Sequence, residues 1–178
     1  MKQLIVSADD LGLTPGVNRG ILRAFQEGIV TTASLLVTGK AFEEAVALAR
    51  QNPELDVGLH LTLVEERAVL GHEVLPTLVD ETGRFPRTSG EFFRRAFLGR
   101  ISWDEVEREI AAQIARFQKT GLRLSHVIAT NISTCSRLSS KSLGALPAGW
   151  KMFGFAILLV HGKKRRVSEW AGGYSSLV

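Results

Sequence analysis

The sequence predicts an α/β fold built on a parallel sheet, and three observations carry that prediction. Short aliphatic and β-branched runs recur along residues 1–126, helical patterns of about ten residues separate them, and side chains able to bind metal or move protons stand where the runs end. Strands joined through helices of that length need crossover connections, which right-handed βαβ units supply. A chain of 178 residues and 19.5 kDa suits one domain and can bury a sizeable core.

The elements follow in order. Leu4 to Ala8 reads as the first strand, broken by Asp9-Asp10. Pro15-Gly16 then opens a helix over Val17 to Gln26, with Ile21, Leu22 and Phe25 at helical spacing and Gly28 closing it. Ile29 to Val37 is a β-branched and aliphatic strand, and Phe42, Ala45, Val46, Leu48 and Ala49 mark a helix that must end before Pro53. Leu55 to Leu63 gives the third strand. The turn-rich stretch from Glu65 to Pro86 is too long for an ordinary connection and reads as a lid or substrate loop. Two helices follow, signalled by the capping-box pairs Thr88 with Glu91 and Ser102 with Glu105; Val106, Ile110, Ile114 and Phe117 line one face of the second until Gly121 stops it. Leu122 to Val127, carrying His126, is the expected fourth strand.

Charge divides the chain. The total is +4, but residues 1–126 hold 17 acidic and 15 basic side chains, whereas residues 127–178 hold 1 acidic and 7 basic. All the basicity that would suggest a nucleic-acid partner therefore lies in the second segment. The expected organisation is a β/α region over residues 1–126 and an atypical basic tail over 127–178 that is no separate functional domain. A single cysteine, Cys135, forms no internal disulfide and fits a reducing compartment. Neither the first residues nor Phe153 to Val160 is a long enough apolar run for a signal peptide or a membrane span. A cytoplasmic protein without nucleic-acid or membrane partners is the expectation.

Ligands and catalysts collect at the carboxyl ends of parallel strands, and Asp9, Asp10, His60 and His126 are placed toward those ends. Two adjacent carboxylates repel unless a positive charge sits between them, and a divalent metal is the usual solution. One carboxylate with imidazoles suits zinc better than a purely hard cation. Each residue also has a plainer reading. Asp-Asp after a strand can form a turn with a helix cap, a lone histidine is more often packed than functional, Asn18 suits a local hydrogen bond, and Glu43-Glu44 and Glu65-Glu66 suit solvated faces. His72 and His161 have no supporting pattern. Only the joint placement lifts Asp9, Asp10 and His60 above these alternatives.

Val6-Ser7-Ala8-Asp9-Asp10-Leu11-Gly12, Asn18-Arg19-Gly20-Ile21, Gly28-Ile29-Val30-Thr31, Val57-Gly58-Leu59-His60-Leu61-Thr62-Leu63 and Ser125-His126 together resemble the YdjC-like carbohydrate deacetylases, in order over residues 2–127. The resemblance implies a distorted (β/α) barrel of the NodB-like deacetylase type, incomplete in this chain, that removes acetyl groups from N-acetylated sugars with a divalent metal. It implies Asp9 as catalytic base, Asp10 and His60 as metal ligands and a strand-four histidine as proton donor to the leaving amine, with His126 behind the ligands. The resemblance brings magnesium as the ion, whereas the ligand chemistry favours zinc. Aggregation or homodimerisation is expected from the strand edges and apolar helix faces that an unfinished barrel exposes. A receiver-type signalling domain, which also carries an acidic pair after its first strand, is the competing reading; it needs an aspartate where His60 stands.

The segment after His126 departs from the family pattern, which continues His-x-Asp-Ser-His-x-His-x-His. The third ligand belongs at position 130, where Thr130 stands. A single-base deletion near codon 127 or 128 accounts for this, since Asp and His in the displaced frame require Ile, Met or Thr at positions 128, 130, 132 and 134. Those positions hold Ile128, Thr130, Ile132 and Thr134. From the frequency of these types in residues 1–126, four such matches arise by chance roughly once in four thousand. The other readings of the same segment are a genuinely divergent tail, loss of the site that leaves this chain inactive, and a basic interaction segment for acidic partners.

Overall fold

The computed structural model describes residues 5–129. Within them four strands, β1 (Ser7–Leu11), β2 (Thr32–Leu36), β3 (Asp56–Leu61) and β4 (Val127–Ala129), form one parallel sheet in the order β1-β2-β3-β4. The helices α1 (Pro15–Gln26), α2 (Phe42–Gln51), α3 (Ser89–Phe97) and α4 (Trp103–Gln118) fill the connections. A doubly wound sheet reverses its strand order at a switch point, and a receiver-type sheet runs 2-1-3. Sequential order without reversal is the arrangement of a (β/α) barrel, of which the described strands form part. It removes the receiver alternative, which also fails at the end of β3, where His60 and Leu61 stand and Asp56 lies at the opposite end.

The core follows from the period of two. Ala33 and Leu35 of β2 and Val57, Leu59 and Leu61 of β3 join one continuous cluster with Phe42, Ala45, Val46 and Ala49 of α2 and Val106, Ile110, Ile114 and Phe117 of α4. Residues of the other parity, Thr32, Ser34, Gly58 and His60, share the opposite face, which the helices leave for chemistry. Arg50 donates to the Thr120 carbonyl and the Arg116 guanidinium lies 4.7 Å over the Phe42 ring, so α2 and α4 are tied at two levels.

Local signals explain the helix ends. Thr14 caps α1 by accepting from Val17 N–H, with Pro15 in the first turn. Thr88 caps α3 through Glu91 N–H, but the Glu91 carboxylate accepts from Arg87 N–H, so the reciprocal half of the expected box is absent. Gly121, at φ 71°, follows α4 in the left-handed region as expected.

Ser102 and Glu105 form no capping box. Ser102 makes no side-chain cap bond, and the buried Glu105 carboxylate instead accepts from Thr77 N–H and Leu78 N–H at 2.8 and 3.0 Å. One turn on, Glu109 accepts from Val69 N–H and Leu70 N–H at 2.9 and 3.0 Å; one turn further, Gln113 pairs with both the N–H and the carbonyl of Thr62. Three residues at i, i+4 and i+8 thus hold the long 62–86 segment against α4. Its 65–86 part, read from sequence as a lid or substrate loop, folds back on itself: Arg67 bridges Arg84 in antiparallel fashion, and Ala68 N–H and Phe85 N–H bond across the arm. Its anchors were illegible in sequence because buried glutamates on an amphipathic helix look like solvated ones.

β2 and β3 are shorter than their sequence assignments of Ile29 to Val37 and Leu55 to Leu63, and β1 and β4 are displaced in ways that bear on the site. Ile5 and Val6 stand before β1, which starts at Ser7, while Leu4 lies outside the described residues; the strand runs through the acidic pair to Leu11, because a bulge between Ala8 and Leu11 lets pairing with β2 continue past Asp9 and Asp10. β4 begins at Val127, not Leu122, so His126 stands immediately before the strand rather than on it. Residues 122–125 approach β3 only through Ser125 N–H, which donates to Val57, before regular pairing starts at Leu59 with Val127. Among the described residues no helix is long and apolar enough to cross a membrane.

Candidate active site

The bulge in β1 decides where both carboxylates go. Neighbouring strand residues ordinarily point to opposite faces, but Asp10 takes φ 67°, and the local twist turns Asp9 and Asp10 toward the same polar face of the sheet. The Ser34 hydroxyl, fully buried on β2, donates to Asp9 Oδ1 at 2.8 Å. Asp10 Oδ1 lies 3.3 Å from His60 Nδ1 on β3, and Ser34 Oγ lies 3.2 Å from the same nitrogen. One hydroxyl therefore touches both the Asp9 carboxylate and the His60 ring. Asp9 is exposed and the Asp10 side chain half-exposed, while His60 is buried.

One pleat deeper lies His126. Its Nδ1 is 2.7 Å from Ser125 Oγ and 3.4 Å from Thr32 Oγ1, and its buried Nε2 has no hydrogen-bond partner among the described residues. The ring occupies the space that a side chain at Gly58 would fill: a Cβ there would fall 2.4 Å from Nε2. Gly58 is thus the cradle for His126, the usual meaning of a glycine inside a strand.

Burial pushes the pKa of both histidines down, and the carboxylates only partly oppose it, Asp10 and then Asp9 for His60, Asp9 and then Asp56 for His126. Both rings are held neutral by removal from water. A neutral imidazole keeps one nitrogen lone pair, the form that binds metals or accepts protons.

The structure therefore brings Asp9, Asp10 and His60 together and places His126 behind them. Position 130, where the resemblance puts a third ligand, lies outside the described residues, as do His161 and Cys135. His72 stands apart, its Nδ1 near the Val79 carbonyl. Glu43 and Glu44 are exposed as read, Glu65 is exposed and Glu66 partly buried. Sequence reasoning missed Ser34, Thr32 and Gly58. A hydroxyl inside an otherwise apolar strand and a glycine two residues before a histidine were the available signals.

The family model described as YdjC-like protein matches residues 3–128, a span holding every residue of this site. The chain belongs to the YdjC-like family. The match stops two residues past His126, where the charge pattern changes. Among curated relatives, a carbohydrate deacetylase of Brevibacillus brevis is 42% identical over 125 residues, covering 70% of this chain and 47% of its own length. One of Geobacillus stearothermophilus is 45% identical over 123 residues, with 69% and 46% covered. This YdjC-like chain spans about half the length of the curated relatives it matches. A crystal structure from Enterococcus faecalis V583, described provisionally as a cellobiose-phosphate cleavage protein, superposes with a TM-score of 0.64 at 37% identity, covering 79% of this chain and 52% of that one.

Proposed function

We propose that this site serves a carbohydrate deacetylase, a hydrolase that cleaves the C–N amide bond of N-acetylated sugars or oligosaccharides with the help of zinc or magnesium. The observation that carries the reading is the convergence of Asp10 and His60, with Asp9 fixed beside them, on the polar face of a YdjC-like β/α sheet. In this reading Asp9 is the catalytic base, Asp10 and His60 are metal ligands, and His126 is the buried support behind them. Residues 1–126 carry the deacetylase region, and residues 127–178 add no separate function. The partner is an acetylated sugar, with neither nucleic acid nor membrane involved, and a homodimer is the expected assembly.

The donors suit such an ion. Two ligands each about 2.0–2.1 Å from one tetrahedral ion stand roughly 3.3 Å apart, which is the Asp10 Oδ1 to His60 Nδ1 separation of 3.3 Å. A neutral imidazole and an accessible carboxylate also match the protonation states that ions require. Among the described residues no group of three His, Cys, Asp or Glu side chains could hold a metal, so at least one ligand must come from elsewhere. A bound divalent ion would polarise the acetamide carbonyl and lower the pKa of water.

The chain's own residues supply the rest. Asp9 keeps one oxygen in the Ser34 hydrogen bond, which orients the carboxylate so that its other oxygen takes a proton from the attacking water. Water oxygen adds to the acetyl carbon, the C–N bond breaks, and the amine leaves with a proton, giving acetate and a free amino sugar. Acetate release from N-acetylglucosamine oligosaccharides by the zinc- or magnesium-loaded protein is the test, with Asp9→Asn as the chemical control. Loaded protein that releases acetate no faster than Asp9→Asn refutes the proposal.

A further inference from the structure

We infer that Asn18 is a positioning residue that holds the Asp9–Asp10 turn in the shape the site needs. The backbone part of this inference stands on geometry alone; its consequence for ion binding rests on the function proposed above. Asn18 sits in the second turn of α1, and its amide is fully buried. A buried amide is costly unless its hydrogen bonds are made, and here both ends are used outside the helix. Asn18 Oδ1 accepts from Gly12 N–H at 2.7 Å, and Nδ2 donates to the Ala41 carbonyl at 3.1 Å. Ala41 N–H in turn donates to the Gly12 carbonyl at 2.9 Å. Gly12, Ala41 and Asn18 thus form a closed ring that uses both polar backbone groups of Gly12.

The ring joins two loops that touch as closely as backbone allows. A Cβ on Gly39 would fall 2.2 Å from the Gly12 carbonyl oxygen. One loop follows β1 and its acidic pair; the other follows β2, which supplies Ser34. Asp10 lies two residues before Gly12 and is left-handed, a conformation that is strained for a non-glycine residue and persists where its surroundings enforce it. Leu13 N–H donates to the Asp10 carbonyl and closes the turn, and Gly12 at φ 97° continues it. Asn18 fixes the middle of that turn from within a rigid helix. Freed of this hold, Asp10 relaxes toward negative φ and its carboxylate leaves His60 Nδ1. An asparagine that merely satisfied the core would stabilise the fold without controlling the dihedral of Asp10.

Nuclear magnetic resonance of the labelled 178-residue chain separates these roles. Positive φ gives Asp10 a strong intraresidue amide-to-Hα Overhauser peak. We expect that peak in the unmodified protein and in Asn18→Asp, which keeps an acceptor for Gly12 N–H, and its loss in Asn18→Ala and Asn18→Leu. In the folded variants that lose it, zinc affinity by calorimetry falls tenfold or more, the size of effect that supporting groups have on metal sites, while Asn18→Asp stays within a few-fold. A folded Asn18→Ala or Asn18→Leu that keeps the Asp10 peak overturns the inference. Should neither fold, hydrogen exchange of the Gly12 amide in the unmodified protein decides: protection comparable to core strand amides supports the hold, and exchange as fast as an open loop overturns it. If the unmodified protein binds no divalent ion, the proposed function fails, while the role of Asn18 is still judged by the Asp10 peak.

Discussion

Replacing Gly58 with alanine tests whether the His126 ring occupies the space that a Gly58 side chain would fill. The new Cβ would stand 2.4 Å from Nε2 and 2.5 Å from both Cδ2 and Cε1, about 1 Å inside the ~3.5 Å contact distance of non-bonded heavy atoms. The clash involves the tip of a rigid ring rather than a flexible chain end, and that ring is only 6% exposed. Relief requires the imidazole to shift by about 1 Å or β3 to bow outward. Overpacking of this kind costs on the order of 1–3 kcal/mol, and about 2 kcal/mol lowers the thermal midpoint of a chain this size by roughly 4–8 °C. His126→Ala empties the space, so the double variant should recover most of the Gly58→Ala penalty, a coupling of about 1 kcal/mol or more in a double-mutant cycle. Gly20→Ala is the control: its Cβ meets nothing within 4 Å on exposed helix α1, and the change should stabilise by about 0.5–1 kcal/mol. Differential scanning calorimetry of the four variants measures all of this. A Gly58→Ala midpoint within about 2 °C of the parent, or penalties that simply add in the double variant, would refute the argument.

Acid should destabilise the fold through its buried histidines. His126 has a folded pKa below its ordinary value near 6.5, so its contribution is complete above about pH 6.5 and is lost as pH falls toward the folded pKa, because the unfolded chain takes the proton first. Urea midpoints at pH 8 and pH 5 should show that slope, and His126→Asn should flatten it; an unchanged slope removes His126 as its source. Glu109 runs the other way. Burial raises its pKa against the pull of Val69 N–H, Gln113, Leu70 N–H and Arg116, so its titration weakens the fold as pH rises through the folded value. Glu109→Ala leaves the partly buried Val69 and Leu70 amides without their acceptor, at about 1 kcal/mol for each lost hydrogen bond, and hydrogen exchange at those two amides should accelerate while exchange in β2 and β3 does not. Ser34→Ala should retain the fold and lower acetate release by tenfold or more through loss of the hold on Asp9; unchanged release would show that the hydroxyl is only core filling. Sequencing the gene decides the frame after His126: an intact frame encoding Thr130, Ile132 and Thr134, with no histidine-rich alternative one base away, ends the deletion reading.

The alternation of strands and helices was legible because hydrophobic period is a local property, and so were the Thr88 cap of α3 and the stop at Gly121. The site was legible in part. Asp9, Asp10 and His60 could be grouped because strand ends converge in any parallel sheet. Ser34 could not, since a serine in an apolar strand says nothing of what stands opposite until the register of Ser34 against Gly58 is set. Glu105 looked like the acidic half of a capping box, and only packing shows that its carboxylate turns inward to two loop amides. Asn18 looked like a local hydrogen bonder, whereas its second bond spans 23 residues to Ala41.

The sequence by itself determined the class of fold, the order of its elements, and the residue types able to support metal-dependent hydrolysis, because backbone preference and side-chain chemistry are carried by short stretches of chain. Tertiary structure alone decided that both members of an adjacent acidic pair face one side of the sheet. That outcome needs a bulge, a left-handed Asp10, and a neighbouring loop bound through Asn18, each fixed by partners far away in the chain. It also decided that His126 is buried over Gly58, where burial lowers its pKa, since desolvation depends on what surrounds a ring and not on which residues precede it.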